Sequence, residues 1–233
     1  MFLFKIFNMK KTKILVLCLC TGIVFSGCGN MSNTAKGGII GGGGGAALGA
    51  IVGGLVGHGK GAAIGAAVGA AVGTGAGVLI GKKMDKAAAE AAQINGAQVE
   101  QITDSNGLQA VKVTFDSGIL FGFNSAALST QAQNSLTKFA AIMKQNPTMD
   151  IAIMGHTDKV GTQEANLKVS TNRADAVQNF LIQQGVSSTQ IKETKGLGFS
   201  QYDDALTAAQ NRRVEVYMYA SKDMIKQAEA GNL

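Results

Sequence analysis

Apolar positions after about residue 104 repeat with two different periods. Val111, Val113 and Phe115 alternate with Lys112 and Thr114, which is the two-residue period of a half-buried strand. Another run, 151–154, is apolar on both faces, as in a central strand. In total the pattern predicts four strands, around residues 111–115, 151–154, 191–195 and 214–218.

Two amphipathic helices separate the first three strands. The first follows Ser129, a residue type that caps helices, and ends at Asn146-Pro147. The second runs from about Thr162 to Gln184 and is closed by Gly185. The order strand, helix, strand, helix, strand, strand (βαβαββ) predicts an α+β sandwich in which the helices pack on one face of a mixed sheet.

Residues 37–81 follow a third pattern, in which glycine occupies every fourth position twelve times in succession. Because residues four apart share a helix face, these glycines would form a groove that allows close helix packing. The stretches 38–57 and 61–81 are apolar and each about 20 residues long, enough to cross a hydrocarbon core. The pattern predicts a membrane-associated helical hairpin; the alternative is a flexible glycine linker between a lipid anchor and the domain.

The N-terminus is typical of an export signal. Three lysines between positions 10 and 13 precede the apolar run 14–24, which is too short to span a bilayer comfortably. Phe25-Ser26-Gly27-Cys28 resembles a bacterial lipobox, so we expect cleavage before Cys28 and acylation of its thiol. Translation could start at Met9, and the alternative for Cys28 is a free thiol in a soluble secreted protein.

Charge and composition restrict the partners. The net charge of +6 and the pI near 9.2 favour anionic partners such as lipid headgroups or cell-wall polymers. Nucleic acid is not expected, because no basic stripe is interleaved with aromatic residues. The chain has two histidines, His58 and His156, so a zinc site is hard to assemble and no metal or cofactor is predicted.

Candidate binding residues cluster after the 151–154 strand. Asp158 follows the carboxyl end of that strand, where ligands often bind in α/β sheets. Asn166, Ser170 and Arg173 are spaced four and three apart, so they line one edge of the next helix. A carboxylate suits an ammonium and a guanidinium suits a carboxylate, so these residues could hold a zwitterionic ligand. The alternative is a structural salt bridge between Asp158 and Arg173.

The stretch GHTDKVGTQEANLKVSTNRA at 155–174, followed by Gly196-Leu197-Gly198 and Asn211-Arg212-Arg213-Val214, resembles the OmpA C-terminal domain family. The resemblance covers roughly 111–219 and implies an OmpA-like domain that binds peptidoglycan without cleaving it. With the lipobox and the glycine repeat, the whole chain resembles glycine-zipper outer-membrane lipoproteins of the YiaD type.

The resemblance also implies roles for individual residues. Asp158 matches the aspartate that binds diaminopimelate, Arg173 the arginine that binds its carboxylate, and Asn166 the helix asparagine. The remaining predicted peptidoglycan-binding positions are Thr157, Gly161, Leu167, Ser170, Asn211, Arg212 and Arg213. Of the last two arginines, one is expected to be structural and to pair with an acid such as Asp116. The family's acid before its first helix is absent from Phe121-Gly122-Phe123.

These features predict an outer-membrane lipoprotein on the periplasmic side that ties the membrane to the wall by binding a diaminopimelate-type stem peptide. Acylated Cys28 and the glycine zipper would hold it in the membrane. It would be neither an enzyme nor dependent on a cofactor, and His156 would be a turn residue. The predicted segments are a signal peptide (1–27), a lipidated N-terminus and linker (28–36), the zipper (37–83), a linker or short helix (84–103), the OmpA-like domain (104–221) and a tail (222–233).

Two other classes of function stay open. The glycine zipper could insert into membranes and form homo-oligomers, with wall binding secondary. A wall hydrolase would release soluble fragments from purified sacculi, and none are expected.

Overall fold

The computed structural model describes residues 75–104, 107–121 and 125–233. Cys28, the signal peptide, the lipidated linker and residues 37–74 of the zipper lie outside these ranges. The strands are β1 (Ala97–Thr103), β2 (Gln109–Asp116), β3 (Met149–Gly155), β4 (Ile191–Gly196) and β5 (Arg213–Ala220). The helices are α1 (Gly75–Ala91), α2 (Ser117–Leu120), α3 (Thr130–Gln145), α4 (Gln163–Gln183), α5 (Ala208–Asn211) and α6 (Lys222–Glu229), with a 3₁₀ turn at Ser188–Gln190.

The five strands form one mixed sheet in the order β1-β2-β5-β3-β4. Neighbouring strands are antiparallel except β3 and β4, which are parallel and joined by the crossover helix α4. All seven residues of β3 are buried, as its uninterrupted apolar run predicted. The predicted α+β class with a mixed sheet and packed helices is confirmed.

Each strand and helix predicted from the periodicity has a counterpart in the structure: β2, α3, β3, α4, β4 and β5. The Ser129 hydroxyl accepts a hydrogen bond from the Ala132 backbone N–H and caps α3, as predicted. Thr162 caps α4 in the same way through the Ala165 N–H.

The main hydrophobic core lies between one face of the sheet and helices α1, α3, α4 and α6. Phe115 of β2 meets Phe139 of α3 edge to face, with ring centroids 6.2 Å apart. A second buried cluster belongs to the opposite face of the sheet; its members are Ile102, Ala110, Ala152, Met154, Tyr217 and Tyr219.

The folded unit begins earlier than residue 104, the boundary predicted from the sequence. Helix α1 starts at Gly75 and buries Ile80, Met84 and four alanines in the main core. Strand β1 pairs with β2 along its whole length, from Ala97 opposite Phe115 to Thr103 opposite Gln109. The segment predicted as a linker or short helix therefore contributes a core helix and an edge strand.

Residues 222–229 likewise form a packed helix, where the sequence predicted a tail. Helix α6 is capped by the Ser221 hydroxyl and buries Met224, Ile225 and Ala228. It packs on α1, so the two ends of the described unit lie side by side. Within the described residues, none of these helices is both long and apolar enough to cross a membrane.

Candidate ligand-binding site

The predicted binding residues lie at one end of the sheet, where β3 and β4 end and β5 begins. Two glycines let α4 lie directly against these strand ends. A Cβ atom on Gly155 would come within 2.2 Å of the Ser170 carbonyl oxygen, and one on Gly196 within 2.3 Å of the Thr171 nitrogen. Since real Cβ atoms do not approach so closely, both positions require glycine for the packing seen here.

Ser170 fastens α4 to the loop after β4. Its hydroxyl donates to the Leu167 carbonyl (2.9 Å) and accepts from the Gly198 backbone N–H (2.9 Å). The Gly198 carbonyl in turn accepts from the Thr157 N–H at 2.9 Å. Ser170 is completely buried, so this predicted ligand-binding residue instead holds the loop carrying Gly196 and Gly198 in place.

Asp158 pairs with Arg212, and the alternative of a direct salt bridge with Arg173 is not observed. Arg212 Nη1 donates to Asp158 Oδ2 at 2.6 Å, while Oδ1 accepts from the Val160 backbone N–H at 3.0 Å. The Asp158 side chain is 13% exposed and that of Arg212 is 43% exposed. The pair joins the loop after β3 to the start of β5.

Arg173 lies beside this pair but is bonded differently. Its side chain is buried; Nε donates to the Ser125 carbonyl at 3.3 Å, and the guanidinium lies 5.3 Å from the centre of the Phe121 ring. In the described parts of the chain, no carboxylate lies within 4 Å of it. Burial lowers the pKa of Arg173 and the nearby charge of Arg212 lowers it further, while Asp158 acts in the opposite direction.

Arg213 is the structural member of the arginine pair, with a different partner from the one predicted. Its Nε donates to Glu215 Oε1 at 2.7 Å and Nη1 to the Asn211 carbonyl at 3.4 Å. Asp116, the suggested partner, accepts from the Gly118 N–H at 2.6 Å and caps α2. Arginines 212 and 213 thus take separate roles, one in the ion pair with Asp158 and one within the sheet.

The two predicted asparagines use their amides to shape loops. Asn166 Nδ2 donates to the carbonyls of Val160 (2.9 Å) and Thr162 (3.0 Å), which closes the turn before α4. Asn211 is fully buried and holds the loop before α5 through the backbone of Asp203, Leu206 and Thr207. Both act on the site indirectly, by fixing the backbone next to Asp158 and Arg212.

Three further predicted positions differ in exposure. Gly161 adopts φ +95°, a left-handed conformation that allows the chain to turn from Asp158 into α4. Leu167 is 47% exposed and Val160 is 77% exposed, so apolar side chains flank the ion pair. Thr157 is buried, and its hydroxyl has no hydrogen-bond partner among the described residues.

His156 belongs to a buried polar cluster that the sequence did not predict. Its Nε2 lies 3.2 Å from Glu215 Oε2, which also accepts a hydrogen bond from the Tyr217 hydroxyl. Burial by itself would raise the pKa of Glu215, but His156, Arg213 and Tyr217 together outweigh it and lower the pKa. The signal available in the sequence was the glutamate in Asn-Arg-Arg-Val-Glu-Val, a charge in the middle of an apolar strand.

A second ion pair fixes the rim of the site. Lys159 Nζ lies 2.8 Å from Asp204 Oδ1 and 4.2 Å from the centre of the Tyr202 ring. These contacts join the loop after β3 to the loop before α5. No group of histidine, cysteine and carboxylate side chains able to hold a metal ion is found in the described part of the chain.

Comparison with known proteins finds two family models that match parts of this chain. Residues 120–216 match the OmpA family model, and residues 9–85 match the model of the YMGG-like Gly-zipper. These two matches confirm the resemblance seen in the sequence.

Individual relatives are similar to parts of this chain. Over 108 residues the chain is 39% identical to "Probable lipoprotein YiaD" of Escherichia coli (strain K12). The matched region covers 45% of this chain and 46% of that protein. It is 35% identical over 88 residues to outer membrane protein P5 of Haemophilus influenzae, covering 37% of this chain and 25% of P5. The chain thus spans less than half the length of these relatives. A MotB-like protein from Desulfovibrio vulgaris shares the fold, with a TM-score of 0.50 and 22% identity over 62% of this chain and 94% of that one.

Proposed function

We propose that this chain is an outer-membrane lipoprotein whose OmpA family domain binds peptidoglycan non-covalently and so ties the membrane to the wall. The ligand would be a stem peptide of the diaminopimelate type, held by the zwitterionic end of its diamino acid. The domain assignment and the outer-membrane and lipoprotein relatives support this proposal.

The observation that carries the proposal is the meeting of Asp158, Arg212 and Arg173 at one end of the sheet. A carboxylate and two guanidinium groups there come from the loop after β3, the start of β5 and the middle of α4. Arginine binds carboxylates through its planar fork, and aspartate accepts hydrogen bonds from an ammonium group. The exposed Val160 and Leu167 could contact the aliphatic part of the same ligand.

We propose binding without cleavage, and without a cofactor. The roles of the residues that could be suspected of catalysis support this view. Ser170 is buried and its hydroxyl is used in two hydrogen bonds, so it is poorly placed to act as a nucleophile. His156, the first residue after β3, is buried, and its Nε2 lies 3.2 Å from Glu215 Oε2, so it is turned toward the sheet.

The membrane attachment in this proposal comes from acylated Cys28 and the glycine-zipper segment. The family match at 9–85 supports the zipper, and the lipoprotein relative supports the lipid anchor. The same zipper match favours the second candidate, a membrane-inserting protein that oligomerises through its glycines and binds the wall secondarily.

Co-sedimentation of the full-length chain, kept in mild detergent, with purified sacculi tests the binding function. We expect the unaltered chain to pellet with the sacculi. Arg173→Ala should lower the affinity by about tenfold or more, since a charge-assisted hydrogen-bonding partner of the ligand is lost. Asp158→Ala should weaken binding to a smaller degree.

Lys168→Ala is the matched control, because it removes an exposed positive charge from the same helix. Circular dichroism checks that each variant is folded. The proposal is wrong if the unaltered chain stays in solution, or if Arg173→Ala and Lys168→Ala pellet equally well. Release of soluble muropeptides during incubation would show cleavage and refute the non-enzymatic part.

A further inference from the structure

Both carboxylate oxygens of Asp158 already have donors within the protein. Oδ2 accepts from the Arg212 guanidinium at 2.6 Å, and Oδ1 accepts from the Val160 backbone N–H at 3.0 Å. The first of these is a short, charge-assisted hydrogen bond, one of the stronger kinds in proteins. An ammonium group that binds Asp158 can still find a lone pair, but it shares with Arg212 a single negative charge that is already paired.

Arg173 is in the opposite situation. Among the residues that the structure describes, one of its five N–H groups donates to a carbonyl oxygen, and the guanidinium otherwise contacts the face of the Phe121 ring. With Arg212, it brings two positive charges to a site that contains one carboxylate, Asp158. The cluster therefore carries excess positive charge, and a negatively charged group can bind Arg173 there without displacing a carboxylate of the described residues.

We propose that Arg212 is a specificity-determining residue that makes the carboxylate of the ligand, rather than its ammonium, the main determinant of binding. Arg173 and the free edge of Arg212 receive the carboxylate. The ammonium gains little, because Arg212 at 2.6 Å already neutralises the charge of Asp158 that would attract it. This inference rests on the proposed peptidoglycan-binding function and specifies which stem peptides the site accepts.

The chemical class of ligand follows from this balance of charge. Peptides whose diamino acid has a free side-chain-end carboxylate should bind, and peptides with a carboxamide at that position should be rejected. An amide is neutral and presents N–H donors to guanidinium groups that are themselves donors only. Loss of the neighbouring ammonium, by contrast, should be tolerated while Arg212 neutralises Asp158.

Isothermal titration of the full-length chain in detergent with three synthetic tripeptides tests this ranking. The peptides are L-Ala-D-Glu-meso-diaminopimelate, the same peptide with the side-chain-end carboxylate as a carboxamide, and an analogue with the side-chain-end ammonium replaced by hydrogen. We expect the carboxamide to bind about tenfold or more weakly than the first peptide, and the analogue without the ammonium to bind within about threefold of it.

The Arg212→Gln variant provides the second readout. Asp158 then has no arginine partner, so loss of the ligand's ammonium should cost about tenfold instead of about threefold. Arg212→Lys, which keeps a cation beside Asp158, should return this penalty to a small value. Lys168→Gln removes one positive charge elsewhere on α4 and should leave the ranking of the three peptides unchanged.

Different results refute different claims. If the first peptide does not bind at all, the proposed function is wrong and this inference fails with it. If the first peptide binds but loss of the ammonium costs as much as amidation, the inference alone is wrong. The inference is equally wrong if Arg212→Gln leaves the penalty for the missing ammonium unchanged.

Discussion

Asp150 and Glu215 are both buried carboxylates in neighbouring strands, yet their surroundings shift their pKa values in opposite directions. Burial raises the pKa of Asp150 to about 6, and Asp223 adds to the rise, while Lys192 at 3.5 Å only partly opposes it. Glu215 has closer partners in Arg213, His156 and Tyr217, and its pKa is lowered in spite of burial. The number of close donors decides the direction of each shift.

For Asp150 this predicts a stability that depends on pH. Because its pKa is higher in the folded state than the usual 3.8, the folded protein binds the proton more tightly, and stability falls as pH rises through about 6. Asp150→Asn should therefore raise the Tm at pH 7.5, by roughly 2–4 °C if about 1 kcal/mol remains after solvent screening. At pH 4 the Tm of the variant and of the unaltered chain should converge.

Thermal unfolding followed by circular dichroism between pH 4 and pH 8 measures this difference. Asp175→Asn, the same chemical change on α4, serves as the control and should give a difference that does not vary in this way. A variant that is less stable than the unaltered chain at pH 7.5 would show that the ion pair with Lys192 outweighs the cost of burial.

The sequence predicted residues that the structure brings to one end of the sheet, but not the partners that they contact there. Asp158 and Arg173 could be predicted because each follows from local spacing around one strand end and one helix. The pair between Asp158 and Arg212 joins residues 54 positions apart, and only the antiparallel pairing of β3 with β5 brings them together. For the same reason local spacing placed Asn166 and Ser170 on the correct helix edge, but could not show that their polar groups are used internally.

At the scale of elements, the contact of α4 with β3 and β4 controls the geometry of the site. This helix carries Arg173, and its distance from the strand ends is set by the two glycines that lie beneath it, Gly155 and Gly196. The hydrogen bonds of Ser170 then fix the register between the helix and the loop after β4. Sheet, helix and loop therefore position Arg173 together.

Gly155→Ala is expected to disturb this contact. The added Cβ would lie 2.2 Å from the Ser170 carbonyl oxygen, which belongs to the backbone and cannot rotate away. We expect destabilisation of about 1–3 kcal/mol, the usual range for overpacking, together with weaker binding to sacculi. Urea unfolding and co-sedimentation measure the two effects.

Gly75→Ala is the matched control, since a Cβ at that position has no neighbour within 4 Å. It should leave stability and binding nearly unchanged. Equal stability of the Gly155→Ala and Gly75→Ala variants would contradict the close approach of α4.

Periodicity predicted the helices and strands whose apolar residues are large and regularly spaced. It missed α1, β1 and α6, whose apolar residues are small, few or confined to a short segment. In α1 the buried face is formed mainly by alanines, which the glycine repeat and the neighbouring lysines obscure. Strand β1 is an edge strand with one buried residue, Ile102, so its alternation is weak. Helix α6 has eight residues, too few to show a helical period clearly.

At the scale of the whole described unit, α1 begins at the end of the sheet opposite the candidate site. Gly77 and Gly81 of α1 line a cleft with Gly107, in the connection between β1 and β2, and with Gln109, the first residue of β2. Asp158 and Arg212 lie at the other end, where β3 ends and β5 begins. This arrangement suits the proposed tether, because its attached end and its wall-binding end would face different partners.

The same architecture predicts where the domain can be cut. A fragment of residues 75–233 retains α1 and β1, whereas a fragment of 104–233 loses both, with the buried side chains of Ile80 and Met84. Two large side chains contribute about 3–6 kcal/mol when fully buried, a sizeable share of the roughly 5–15 kcal/mol that stabilises a typical domain.

We therefore expect 75–233 to unfold cooperatively on heating, and 104–233 to unfold at a much lower temperature and to bind a dye that reports exposed apolar surface. Differential scanning calorimetry and dye fluorescence compare the two fragments. Similar melting temperatures would mean that α1 and β1 rest on a core that is complete without them. In that case the glycine-zipper segment would end in an independent helix, and the attachment between zipper and domain would be looser than the packing of Ile80 and Met84 indicates.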